Sequence, residues 1–220
     1  MNSNQTLTLV NQFAPTYDNY ISDCSWHGPD MLFGLMHEYL SPGERILDLG
    51  IGTGLSAIPF KKAGLEIFGL DGSESMLEIC STKGITKELK QVDISKGGIP
   101  FNLKFHHIIS FAVFHFLENL EILFREISNS VLEKGTFSFS IELYKPGNSE
   151  EYIESTVNGI YQKTQPDSGL IIYKHTEEYI FNALEISGFK VLKSTEILAF
   201  KDPITKREVY FALFVAKKEA

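Results

Sequence analysis

Arg45-Ile46-Leu47-Asp48-Leu49-Gly50-Ile51-Gly52-Thr53-Gly54 is the stretch from which the rest of the chain can be read. Arg45 to Leu49 is short, mostly apolar and bounded by a glycine turn, the pattern of a buried strand. Gly50 to Gly54 then lets the backbone turn tightly and approach a bulky ligand closely. A helix is predicted from Leu55 to Ala63, closed by Gly64, with Pro59 in its early part, where a missing amide costs least.

The same alternation continues outward. Strands are predicted at Glu66–Leu70, Leu89–Val92, Phe105–Phe111, Gly135–Leu143, Lys190–Leu198 and Val209–Lys217. Helices are predicted at Ser73–Lys83, Leu117–Val131 and Thr176–Ser187, with Ser73 and Thr176 as N-caps and Gly188 as the C′ residue. Alternating strands and helices indicate an α/β fold with a parallel sheet. A Lys201-Asp202-Pro203 turn makes the last two strands a hairpin and the final strand antiparallel. Two segments lie outside this pattern: the helical stretch 1–42 and an insertion at 144–175.

Composition sets bounds on function. The chain has 220 residues, 43 % hydrophobic and 22 % charged, with a net charge of −8. That is enough apolar material for one domain spanning 1–220, and too much for intrinsic disorder. Scattered Lys and Arg give no basic stripe for nucleic acid. No apolar run approaches the roughly 20 residues of a membrane span. Met1 to Asn11 lacks a basic region followed by an apolar block, so secretion is not expected and a cytoplasmic location is. Cys24 and Cys80 fit no metal spacing, so no metal is expected and reduced thiols are.

The glycine turn carries the chemistry. A dinucleotide site asks for a small residue where Leu55 stands. Asp48, two residues before Gly50, would repel phosphates and attract a sulfonium or ammonium group. Asp71 follows Gly50 by about 20 residues, at the end of the next strand, where one carboxylate can accept both ribose hydroxyls. At that carboxyl edge it should face the cleft and not the core.

Asp48-x-Gly50-x-Gly52-x-Gly54, then Asp71-Gly72-Ser73-Glu74-Ser75-Met76, then Gln91-Val92-Asp93-Ile94 resemble, in this order, the motifs of class I S-adenosylmethionine-dependent methyltransferases of the small-molecule type. The resemblance covers roughly 10–200. It implies a Rossmann-like three-layer sandwich with a seven-stranded, mostly parallel sheet of order 3-2-1-4-5-7-6. It implies S-adenosylmethionine as cofactor and S-adenosylhomocysteine as product, with the methyl group passing to a small-molecule acceptor by in-line displacement.

By the same resemblance Asp48, Gly50 and Gly52 hold the methionine part, Asp71 the ribose, and Met76, Asp93 and Ile94 the adenine, with Gly54 and Gly72 also counted among the cofactor-binding residues. Ala112-x-x-His115-Phe116-Leu117 resembles a segment after the fourth strand that lines the methionine part, with Ser110 beside it. His115 is a candidate base, or else a helix-capping residue. Phe13-Ala14-Pro15-Thr16-Tyr17-Asp18 resembles a lid element with Tyr17 facing the site, so 1–42 is expected to cover the cofactor. Trp26, His27, Tyr39, Tyr161, Tyr173 and His175 are candidates for the acceptor pocket. The family usually has Phe-Asp at the start of the fourth strand, and here Phe105 is followed by His106 and His107. The expected state is a monomer or homodimer. The rival functions are a protein that binds S-adenosylmethionine without turnover and a dinucleotide-dependent oxidoreductase.

Overall fold

The strand expected at Arg45 forms, and its apolar side chains decide what lies on either side of it. The computed structural model describes residues 3–24, 26–147, 151–166, 168–202 and 206–219. Helix α1 (Ser3–Asp23) and α2 (Gly28–Met36) precede β1 (Arg45–Leu49). There follow α3 (Ile58–Lys62), β2 (Glu66–Asp71), α4 (Glu74–Thr82), β3 (Thr86–Gln91), β4 (Phe105–Ser110), α5 (Glu121–Ser130) and β5 (Val131–Ile141). Three short strands come next, β6 (Ile153–Glu154), β7 (Ile160–Thr164) and β8 (Ile171–His175). Helix α6 (Glu177–Ile186) and the long pair β9 (Phe189–Lys201) and β10 (Glu208–Lys218) complete the order.

Seven strands form one sheet in the order β3-β2-β1-β4-β5-β10-β9. Neighbours from β3 to β5 run parallel, whereas β10 is antiparallel to both β5 and β9. This is the expected order 3-2-1-4-5-7-6, with β9 and β10 as its sixth and seventh strands. Pro203 of the expected hairpin turn lies outside the described residues.

Both faces of the sheet are covered, so β1 is buried on both sides. Leu47, Leu49, Ile108, Phe137, Phe139 and Phe214 pack under α5 and α6. Ile46, Ile67, Ile109 and Val215 pack with Leu32 and Met36 of α2, Phe60 of α3 and Cys80 of α4. Phe139 stacks between Phe137 at 4.8 Å and Phe214 at 5.2 Å, which ties β5 to β10. Removing such a ring costs about 3–5 kcal/mol in a packed core.

The local signals hold where they were specific. Ser73 caps α4 by accepting the Met76 amide at 3.1 Å, and Thr176 caps α6 by accepting the Tyr179 amide at 3.2 Å. Gly188 follows α6 with φ +80°.

Some boundaries differ. The helix expected at Leu55–Ala63 is only Ile58–Lys62, because Pro59 sits at its start and the glycine turn extends through Ala57. The helix expected from Leu117 begins at Glu121, after a 3-10 turn at Phe114–Phe116 and an Asn119 side chain that accepts the Glu121 amide. The insertion contains its own antiparallel sheet, β6-β7-β8, which the sequence pattern did not reveal.

Candidate functional site

The carboxyl ends of β1, β2 and β4 converge on one cavity of about 380 Å³. A pocket of this size is in the ordinary range for small-molecule sites. Its floor is built from Gly50, Gly52, Asp71, Gly72, Asp93 and Ile94, with Met76 from α4. Thr6, Leu7, Val10, Phe13, Tyr17 and Ile21 close it from the α1 side.

The three glycines of the turn do different work. All have positive φ, at +72°, +53° and +90° for Gly50, Gly52 and Gly54. A Cβ on Gly50 would collide with Val113, whereas one on Gly52 would meet nothing within 4 Å. One on Gly54 would lie 2.9 Å from Cys80 Sγ, so Gly54 serves the packing of the turn on α4. Gly54 therefore stands behind the cavity wall, contrary to its expected place in the site.

Asp71 is the pivot. Its Oδ2 accepts the Gly52 amide at 2.8 Å, and its Oδ1 accepts the Ser73 amide at 2.8 Å. Burial pushes its pKa upward and outweighs the opposing pull of the Ser73, Gly52 and Gly72 amides. The carboxylate reaches the cavity, yet it also fastens the two turns to each other.

Asp48 is placed otherwise than expected. It is 0 % exposed and does not line the cavity. Its Oδ2 accepts the Ser56 hydroxyl at 2.5 Å, and its Oδ1 has no partner among the described residues. Burial raises its pKa to about 7, with the Asp71 charge adding to the rise and the Ser56 bond opposing it. The side chain points under the glycine turn because β1 alternates, and this face meets α3 and α4. Ser110 is likewise off the cavity: it is 1 % exposed and donates to the Leu49 carbonyl at 2.9 Å.

Asp93 lines the cavity and caps the turn Ile94–Lys96. Its Oδ1 accepts the Ser95 amide at 3.1 Å and the Ser95 hydroxyl at 2.6 Å, and its Oδ2 pairs with Lys96 at 3.0 Å. Met76 and Ile94 both face the same end of the cavity.

Helix α1 is pinned to the glycine turn and to both ends of α4. Asn11 Oδ1 accepts the Ser73 hydroxyl at 2.6 Å. Asp18 accepts the Thr53 hydroxyl and pairs with Lys83, both at 2.6 Å. Leu7 lies against Gly72, where a Cβ would stand 2.5 Å from it. Tyr17 lines the cavity, and burial, then Asp18, Asp71 and Asp48, push its phenol pKa up, so it stays protonated.

His115 lies on the 3-10 turn after β4 and lines the cavity. Burial pulls its pKa down and the nearby Glu142 charge opposes this, leaving the ring neutral at pH 7. Ala112, two residues after the strand, takes φ +57° while its amide donates to Ser140 at 2.8 Å. Such left-handed backbone in a residue with a Cβ is uncommon outside functional turns.

Of the acceptor-pocket candidates, only Trp26 reaches the cavity. Tyr39 lies under Lys193, and Tyr161 stacks on Tyr144 at 3.5 Å. His175 is buried against the Glu118 carbonyl at 2.8 Å, with its pKa pulled down to about 4 by burial. His27 and Tyr173 also lie elsewhere. His106 Nδ1 accepts the Arg45 amide at 3.1 Å, and His107 bridges Glu44 at 3.0 Å and Thr136 at 2.8 Å inside the sheet, so both rings tie strands together away from the cavity.

The sequence reading missed Phe200, Phe211 and Glu142, which also line the cavity. Glu142 is the residue just after β5, so its signal was the carboxyl end of a parallel strand. Among the described residues, no group of His, Cys, Asp and Glu could hold a metal ion, and no helix is long and apolar enough to cross a membrane.

Comparison with known proteins agrees with this geometry. Residues 47–139 match the methyltransferase domain family. An uncharacterized methyltransferase of Staphylococcus carnosus is 24 % identical over 184 residues, covering 80 % of this chain and 84 % of that one. The crystal structure of an S-adenosylmethionine-dependent methyltransferase from Mesorhizobium loti superposes with a TM-score of 0.68 at 25 % identity, over 87 % of this chain and 100 % of that one. Magnesium protoporphyrin IX methyltransferase of Synechocystis, solved with bound S-adenosylmethionine, shares the fold with a TM-score of 0.61 at 18 % identity, over 86 % and 77 %. The strand order, the glycine turn, the methyltransferase domain matched at 47–139 and these relatives together support methyl transfer that depends on S-adenosylmethionine.

Proposed function

We propose that this protein methylates a small molecule that enters beside Trp26. The observation that carries the proposal is that one continuous cavity joins Asp71 and Asp93 to aromatic residues under α1. No Lys or Arg lines it among the described residues, which suits a cationic sulfonium and disfavours a pyrophosphate. Bound S-adenosylmethionine supplies an electrophilic methyl group on its sulfonium. Gly52, whose Cα faces open space, leaves room for the cofactor's methionine part, and Gly50 shapes the turn beside it.

Asp71 accepts the ribose hydroxyls, with Gly72 below the ring. Met76 and Ile94 sandwich the adenine, and Asp93 accepts from its amino group. Helix α1 acts as a lid over 1–42, excluding water from the reacting centre and holding donor and acceptor in line. The insertion at 144–175 borders the acceptor end. His115, neutral in its buried place, accepts the proton that a protic acceptor must lose. Tyr17, held protonated, donates a hydrogen bond near the transferred methyl. The enzyme works as a monomer or homodimer in the cytoplasm.

Incubation with S-adenosylmethionine and a panel of amines, thiols, phenols and acidic carbon acceptors tests this reading. One class should form S-adenosylhomocysteine at a rate that saturates with acceptor. Turnover only on protein or nucleic acid would overturn it.

A further inference from the structure

The end of the cavity away from Asp93 is walled by rings. Trp26 lies 5.1 Å from Phe111, and Phe111 lies 5.9 Å from Phe211. Phe116 and Phe200 complete this wall. Flat faces of this kind favour a flat apolar guest.

The charged side chains that line the cavity carry one sign. Glu142 is the cavity's carboxylate at this end, and its Oε2 is held at 3.0 Å by Lys174 of β8. Lys174 itself is turned away from the cavity and over the Tyr152 ring at 4.8 Å. The insertion thus fixes the Glu142 carboxylate while offering the guest no positive charge. His115 adds none either, because burial keeps its ring neutral. Farther along the cavity Asp71 and Asp93 are again acidic. An anionic guest would be desolvated facing carboxylates whose paired cations, Lys174 on Glu142 and Lys96 on Asp93, do not line the cavity, which is a selection by repulsion.

We propose that the acceptor is a small aromatic ring bearing a protic group and no anionic substituent, and that Glu142 is the residue that rejects carboxylated rings. This rests on the reading of the cavity as a methyltransferase site and names its acceptor class. Phosphorylated and carboxylated metabolites are thereby excluded as acceptors.

Trp26 is the chain's single tryptophan, so its fluorescence reports binding at this end directly. The probes are para-cresol, para-hydroxybenzoate and methylcyclohexanol, titrated into the protein with S-adenosylhomocysteine present and corrected for absorbance. Para-cresol should bind tightest, with para-hydroxybenzoate weaker by roughly tenfold or more, the scale on which a neighbouring like charge acts. Methylcyclohexanol, of the same size without the ring, should also bind more weakly. In Glu142→Gln the gap between cresol and hydroxybenzoate should largely close.

Equal or tighter binding of para-hydroxybenzoate by the native protein would overturn the proposal, as would equal binding of methylcyclohexanol or no response to any ring. These comparisons stand even if Glu142→Gln fails to fold. A parallel calorimetric titration with S-adenosylhomocysteine separates the two levels: cofactor binding without ring binding defeats this inference alone, and absent cofactor binding defeats the reading beneath it.

Discussion

The Asp71 carboxylate accepts the Gly52 amide at 2.8 Å, so the end of β2 holds the glycine turn of β1 in place. With its other oxygen on Ser73, the side chain has a structural task besides any contact with a ribose. The sequence suggested a cleft-facing group, and the structure adds these two amide contacts. Asp71→Ala should lower stability by about 2 kcal/mol without ligand, because two amides lose a charged acceptor. Thermal denaturation of the ligand-free protein measures this, and an unchanged melting temperature would refute it.

Gly52→Ala and Gly54→Ala should separate in their effects. A Cβ at Gly52 meets only open space, so the variant should lose about 1 kcal/mol from its left-handed backbone and bind S-adenosylhomocysteine poorly. A Cβ at Gly54 stands 2.9 Å from Cys80 Sγ, so that variant should be the less stable of the two. Melting temperature and calorimetric affinity, measured on both, check the contrast.

Asp48 makes stability depend on pH in an unusual direction. Its folded carboxyl keeps its proton to about pH 7, whereas in the unfolded chain it loses it near pH ~4. Between those values the folded state binds more protons, so this group's contribution is full below the unfolded pKa and falls as pH rises through 7. A shift of this size corresponds to at most ~4 kcal/mol. Asp48→Asn should therefore gain on the native protein as pH rises from 5 to 8. A stability difference that stays constant over that range would contradict the account.

Asn11 and Asp18 hold α1 over the cavity through Ser73, Thr53 and Lys83. Asn11→Ala with Asp18→Ala should quicken amide exchange across Ser3–Asp23 by about tenfold, since an exposed ion pair and its hydrogen bonds contribute roughly 1 kcal/mol. The exchange of β1 and β4 should not change. Exchange of α1 equal to that of the native protein would show that other contacts carry the closure.

The fold was legible because its signals are local. The strand Arg45–Leu49, the glycines after it and the caps Ser73 and Thr176 each act within a few residues of chain. The β6-β7-β8 sheet was not legible, because strands such as Ile160–Thr164 are short and polar and gain their pairing from elsewhere. At the site, the sequence indicated which residues stand at strand ends but not which way their side chains turn. Asp48 and Ser110 point into the sheet packing, and Gly54 into α4. Phe200 and Phe211 reach the cavity from the last hairpin, a closeness that only the folded sheet creates.

The central claim is that this cavity binds the cofactor through Asp71. Calorimetric titration of S-adenosylhomocysteine into the native protein and Asp71→Ala tests it most directly, under conditions where both are folded. The account predicts one-to-one binding to the native protein and about a hundredfold weaker binding to the variant, with Asp71→Asn between them. Near-native affinity in folded Asp71→Ala, or no binding by the native protein, would contradict it.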